Sequence, residues 1–110
     1  MYKAVGVWTW PQAEDEQAFE DHYVNVHVRT ADEVPNVERL TLMKAGDTGR
    51  DSDIYRVAEM YFADEKAFAE AAKSEAWAAM VADATAMIER FGVELKAAQG
   101  WESENTSAPA

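Results

Sequence analysis

The run Ile54-Tyr55-Arg56-Val57-Ala58-Glu59-Met60-Tyr61-Phe62 limits the fold more than any other segment, because as a strand it is substantially apolar on both faces. Ile54, Ala58, Met60 and Phe62 point one way, with Arg56 among them, and Tyr55, Val57, Glu59 and Tyr61 point the other. The opening segment behaves alike: Val5 and Val7 share one side, and Tyr2, Ala4, Gly6, Trp8 and Trp10 share the other. An antiparallel sheet with one wet face alternates apolar and polar residues far more cleanly. Both faces of this sheet therefore need cover.

The rest of the chain supplies cover for one of them. Tyr2 to Trp10 is β-branched, aromatic or small and ends at Pro11, which predicts a strand. Glu14-Asp15-Glu16 places negative charge at a helix start, and Phe19, Tyr23, Val26 and Thr30 follow at helical spacing, predicting a helix from about Asp15 to Glu33. Val37 to Ala45 predicts a second strand, joined by the polar turn region from Gly46 to Asp53 to a third, Ile54 to Phe62. Asp64 and Ser74 are both suited to cap helical segments, so one interrupted helical region is expected from Asp64 to about Arg90. Its Ala-rich stretch from Ala67 to Ala86 predicts helix packing. Phe91 to Ala97 alternates with period two and predicts a fourth strand. The order β-α-β-β-α-β is that of an α+β, ferredoxin-like sandwich with two helices on one face of an antiparallel sheet. A single domain over residues 1 to 100 and a mobile tail over 101 to 110 complete the layout.

Helices on one face leave the other bare. The economical cover is a second copy of the chain packed sheet to sheet, a homodimer whose sheets together form a dimeric α/β barrel. Where the two sheets diverge, aromatic side chains would line a small enclosed pocket. Aromatics that simply fill the interface are the alternative, and pattern alone leaves both open.

Charge and composition narrow the partners. Ten Lys plus Arg against 21 Asp plus Glu gives 10 − 21 = −11, so polyanions are repelled and neither nucleic acid nor an anionic membrane surface is expected to bind. With no Cys there is no disulfide framework, thiolate nucleophile or Cys-based metal site. No apolar run is long enough for a signal peptide or a membrane span, which predicts a cytoplasmic protein.

Two residues are of the one type whose model-compound pKa lies near neutral pH, His22 and His27. Five residues at about 100° each would set them about 140° apart on an α-helix, too far round to share one metal ion. His22 is expected near the solvent edge and His27 near the apolar stripe. Glu59 is the other conspicuous group, an acid within an apolar strand. It must be ion-paired, hydrogen-bonded, protonated or wetted by a cavity; a salt bridge to Arg39 or Lys96 is the structural reading and a functional site the other.

These residues also carry a resemblance. Phe19-Glu20-Asp21-His22-Tyr23-Val24-Asn25-Val26-His27, followed by Pro35-Asn36-Val37-Glu38-Arg39, resembles the first motif of the EthD family, approximately F-x-x-H-Y-x-x-V-H-x-P-L-A and then P-G-x-x-R. Tyr55-Arg56-Val57-Ala58-Glu59-Met60-Tyr61-Phe62-Ala63-Asp64 resembles its second, Y-x-V-A-E-x-Y-F-x-D, and Asp83 is similar to an Asp late in the family's second helix. The chain departs from the pattern at Arg29-Thr30, where Pro-Leu is usual, and at Asn36, where Gly is common. The resemblance implies a dimeric α+β barrel of the kind that serves cofactor-free monooxygenases, muconolactone-type isomerases and polyketide cyclases. It implies that His27, with Tyr23 beside it, is the site histidine and Glu59 an acid on the pocket strand.

The expected function is an enzyme that acts on a small apolar or aromatic molecule without metal or organic cofactor, by histidine-assisted proton transfer of isomerase, cyclase or lyase type. His27 would be the general base or acid and Glu59 a proton partner, with Trp8, Tyr23, Arg39 and Tyr61 contacting substrate. A cofactor-independent monooxygenase and a non-catalytic ligand carrier are the alternatives, and the same fold serves all of them.

Overall fold

A computed structural model describes residues 1–104; residues 105–110 of the expected tail lie outside the described residues. The elements run β1 (Tyr2–Thr9), α1 (Glu16–His22), a π turn (Tyr23–His27), α2 (Val28–Asp32), β2 (Arg39–Lys44), β3 (Ile54–Phe62), α3 (Glu65–Ala71), α4 (Glu75–Phe91) and β4 (Leu95–Trp101). The strands form one antiparallel sheet in the order β2-β3-β1-β4. This is the ferredoxin-like α+β fold, with the long first and last helical regions on one face. Among the described residues no helix is long and apolar enough to cross a membrane.

The helix starts are set by short polar side chains. Asp64 accepts a hydrogen bond from Ala67 N at 2.8 Å, and Ser74 Oγ accepts one from Trp77 N at 3.1 Å, so each satisfies a first-turn amide that has no partner within its helix. At the other end of α4, Gly92 adopts φ 64° and its N–H bonds to Ile88 O, closing the helix in a left-handed cap. That cap corrects the expected start of the last strand: Phe91 ends α4, Val93 is buried, and β4 begins at Leu95. The strand then continues to Trp101, which pairs with Tyr2, and Glu102 N bonds to Met1 O at 2.9 Å.

A second irregularity moves one aromatic ring. Trp8 pairs with Arg56 and Thr9 with Ile54, so Tyr55 is an extra residue at a bulge. Strict alternation would put Tyr55 with Val57 and Glu59 on the far face. The bulge instead buries it on the helix side, 4.5 Å from the ring of Trp10 and 5.6 Å from that of Phe19. Trp8, Phe19, Tyr23, Tyr55, Met87 and Phe91 form the main core there.

Asn36 accounts for one departure from the family pattern. It is the single non-glycine residue with positive φ among the described residues, at 66°, where Gly has no Cβ penalty and Asn is the side chain most often tolerated. Its Nδ2 also donates to Ala67 O at 3.1 Å, a bond that Gly could not make.

Candidate active site

The side chains that matter come from β1, the π turn and α4. In α4, Trp77, Val81, Ala84 and Ile88 recur at helical spacing on one side, and Met80 and Thr85 lie beside them. They do more than pack. Together with Ala4, Gly6 and Trp8 of β1, Ala58 and Met60 of β3 and Leu95, Ala97 and Gln99 of β4, they wall a cavity of about 310 Å³ between α4 and the sheet. That volume is at the small end of ligand pockets. The small residues Ala4, Gly6, Ala58, Ala84 and Ala97 leave the space that larger side chains would fill. The lining is almost wholly apolar, with His27 as its one titratable side chain among the described residues. This cavity lies on the helix side of the sheet, whereas the sequence reading expected a pocket on the other side, between two diverging sheets.

His27 is held from behind. Its Nδ1–H donates to Asp83 Oδ2 at 2.9 Å, which fixes the neutral ring in the tautomer that leaves Nε2 with a lone pair. Nε2 has no hydrogen-bond partner among the described residues. The ring sits edge-on to Trp8 with centroids 5.4 Å apart, and its side chain is only 12% exposed. Burial pushes the His27 pKa below its ordinary 6.5, because an imidazolium there loses hydration. Asp83 pulls in the opposite direction and is outweighed. The ring is neutral at pH 7 and ready to accept a proton.

His22 keeps 21% of its side chain exposed and also reaches the site. Its Nε2–H donates to Asp83 Oδ1 at 2.9 Å and Oδ2 at 3.1 Å, so both histidines converge on one carboxylate. The 140° separation assumed an unbroken α-helix. The structure inserts a π turn, closed by Val28 N–H bonding to Tyr23 O five residues back, and residues five apart come to the same side. The five-residue spacing of the two histidines was the available signal, and Asp83, far along the sequence, supplied the contact that local pattern does not reveal.

Tyr23 lies next to His27 but does not line the cavity. Its ring stacks on His27 at 5.9 Å and carries the Arg56 guanidinium on it at 4.7 Å. Arg56 is buried and forked onto Glu20, which also meets Lys44 at 3.2 Å. The Tyr23 hydroxyl is buried without a partner among the described residues, and burial raises its pKa above the ordinary 10, so it stays a phenol.

The structure separates Glu59, Arg39 and Tyr61 from this site. All three point to the far face of the sheet, where Arg39 pairs with Tyr61 across β2 and β3 and lies 5.2 Å from its ring. Glu59 accepts from Lys3 Nζ at 2.8 Å, from Thr41 Oγ1 at 3.3 Å and from Tyr61 Oη at 3.5 Å. The ion pair foreseen with Arg39 or Lys96 forms with Lys3 instead, because Val5 is directly opposite Glu59 and Lys3 reaches diagonally across the strand pair. The Lys3 ammonium holds the Glu59 carboxyl below the usual carboxylate range. With the sheet between them, Glu59 does not reach His27.

The fold agrees with that of known proteins. An ethyl tert-butyl ether D (EthD) family protein from Bacillus halodurans superposes with a TM-score of 0.79 at 24% identity, over 94% of this chain and 99% of that one. HapK from Hahella chejuensis matches with a TM-score of 0.66 at 19% identity, over 100% of both chains. The N63A mutant of SnoaB, a cofactor-independent oxygenase from Streptomyces nogalater, matches with a TM-score of 0.63 at 20% identity, over 97% of both. At these identities the likeness establishes a shared fold. No curated protein sequence matches the chain. The EthD domain model spans residues 11–90, a stretch that includes His22, His27 and Asp83, and the chain therefore belongs to the EthD family.

Proposed function

We propose that the helix-side cavity binds a small, uncharged, mainly apolar or aromatic molecule and that His27 Nε2 removes or returns a proton on it. The reaction is of isomerase, cyclase or lyase type and needs no metal or organic cofactor. One observation carries the reading: in an almost wholly apolar cavity, the single titratable side chain among the described residues is a neutral histidine oriented by a carboxylate, with its second nitrogen unpaired by any of them. Asp83 orients the ring and stabilises the imidazolium that forms on proton uptake, as the acid does in a Ser-His-Asp triad. Trp8 and Trp77 offer aromatic surface to a flat ligand. No cationic side chain lines the cavity, which favours neutral molecules over carboxylates or phosphates. Glu59, Arg39 and Tyr61 take a structural part on the far face.

Val5, Val7, Met43 and Val57 share that far face with the Lys3–Glu59 pair, and we assign it to the contact between two copies of the chain. Sedimentation at high dilution tests this; a well-folded lone subunit contradicts it.

The experiment for the reaction is a deuterium-exchange assay on a panel of phenols and enolisable ketones in D2O. Wild type is expected to catalyse exchange or conversion, and His27→Ala to lower the rate by at least about a hundredfold. Retained activity in His27→Ala removes the histidine from the mechanism. The shared fold with an oxygenase supports a second reading, in which proton removal prepares an electron-rich substrate for dioxygen. Stoichiometric oxygen consumption selects that reading. A ligand that binds tightly, with little pH dependence, and is recovered unchanged and undeuterated selects a carrier.

A further inference from the structure

We propose that His22 is a positioning residue for His27, acting through Asp83, and that the π turn between the two histidines is the device that brings it there. The proposal builds on the reading of His27 as the base, and its test is made on the free protein so that the two fail separately.

Asp83 alone is a poor guide for a histidine ring. A carboxylate on one short side chain can rotate, present either oxygen, or turn toward water. Here the His22 Nε2–H straddles both oxygens, at 2.9 and 3.1 Å, and holds the carboxylate plane so that Oδ2 faces His27 Nδ1 at 2.9 Å. Among the described residues these two rings are the only side chains that hydrogen-bond to Asp83. All three groups are largely shielded, with side chains 21%, 12% and 16% exposed for His22, His27 and Asp83. A bond to a charged acceptor in such a place is worth more than one in water.

The backbone has been altered to make this arrangement. On a regular α-helix His22 and His27 would diverge, and one of them would lose Asp83. The π turn interrupts the regular α-helical ladder and realigns them. Such turns are uncommon and concentrate at functional sites. The groups that face His27 are accounted for by Asp83 from α4, His22 from α1, Tyr23 stacked within the turn and the uncharged Trp8 from β1.

The test is imidazole nitrogen NMR, which reports the tautomer of each histidine directly. Wild type at pH above 7 is expected to show His27 as the Nδ1–H tautomer. In His22→Ala the ratio of Nε2–H to Nδ1–H tautomer at His27 should rise by about tenfold or more, the effect of losing one charge-assisted hydrogen bond to Asp83. His22→Gln places an amide donor at similar reach and should restore the wild-type ratio. His22→Leu, which keeps the volume without the donor, should behave as the alanine variant does and serves if that variant does not fold. A His27 tautomer unchanged in both His22→Ala and His22→Leu overturns the proposal.

Discussion

On the helix side of the sheet, His27 faces a largely apolar cavity with Nδ1 tied to Asp83 and Nε2 unpaired among the described residues; on the far side, Glu59 accepts from Lys3, Thr41 and Tyr61. Both stand out in the sequence as ionisable groups among apolar neighbours. Both are shifted from their ordinary pKa, for opposite physical reasons. Burial wins at His27 and disfavours the charged form, whereas an opposite charge wins at Glu59 and favours it. An ionisable group in an apolar strand or helix marks chemistry when a cavity leaves it a lone pair to offer, and marks architecture when an opposite charge and neighbouring donors engage it.

The sharpest way to break this contrast is to mutate each group in turn. His27→Ala should lower catalysis by about 10² to 10⁴, while Glu59→Gln should change it less than about threefold. Equal losses from the two variants would show that the faces are not functionally distinct.

Filling the cavity separates them next. Ala84→Leu projects extra carbons from α4 into the space beside Trp8 and Met60, so ligand affinity should fall by more than about tenfold while the fold loses about 1–3 kcal/mol at most. Titration calorimetry with a neutral phenol and a urea melt read both quantities. Unaltered binding would place the ligand elsewhere.

Acid pH distinguishes the two groups by where each begins to matter. The folded His27 binds its proton less readily than the unfolded chain does, so its contribution to stability is intact above 6.5 and is lost as pH falls from there toward the lowered folded value. Glu59 is depressed from 4.5, and its contribution is intact above that value and lost only below it. Catalysis should follow His27, with an acid limb below pH 6.5. Asp83→Asn should move that limb lower still, because the Asp83 charge raises the His27 pKa. An acid limb above 6.5 would contradict burial as the dominant influence.

The smallest effect is expected from the far-face ion pair. Within one subunit Lys3 and Glu59 keep 25% and 31% of their side-chain surface in water, which sets the cost of Lys3→Met at less than about 1 kcal/mol in a thermal melt. A larger loss would support the second copy assigned to this face, which would shield the pair from water.

Much of the fold was legible because it is written locally. The third strand, Ile54–Phe62, has the bounds its pattern predicts, and Asp64 and Ser74 cap the two helices they precede. The errors arose where backbone geometry left the regular period. Gly92 delays β4 by turning left-handed after Phe91, and a bulge carries Tyr55 to the helix side. The site was less legible than the fold. His27 and Trp8 could be singled out from the sequence, and the cavity contains both. The partnership of His22 and His27 with Asp83 depends on a π turn and on contacts 61 and 56 residues apart, which no local periodicity encodes. Glu59 drew attention for a sound reason, its charge in an apolar strand, but the register that brings Lys3 to it is again a property of the folded sheet.

The account rests on the helix-side cavity being where a ligand meets His27. A crystal of the protein soaked with a small neutral phenol tests that directly. Density should appear between Trp8 and Trp77, with the phenol oxygen within hydrogen-bonding distance of His27 Nε2. An empty cavity, with the phenol instead lodged beside Glu59, Arg39 and Tyr61 or nowhere on the molecule, would contradict it.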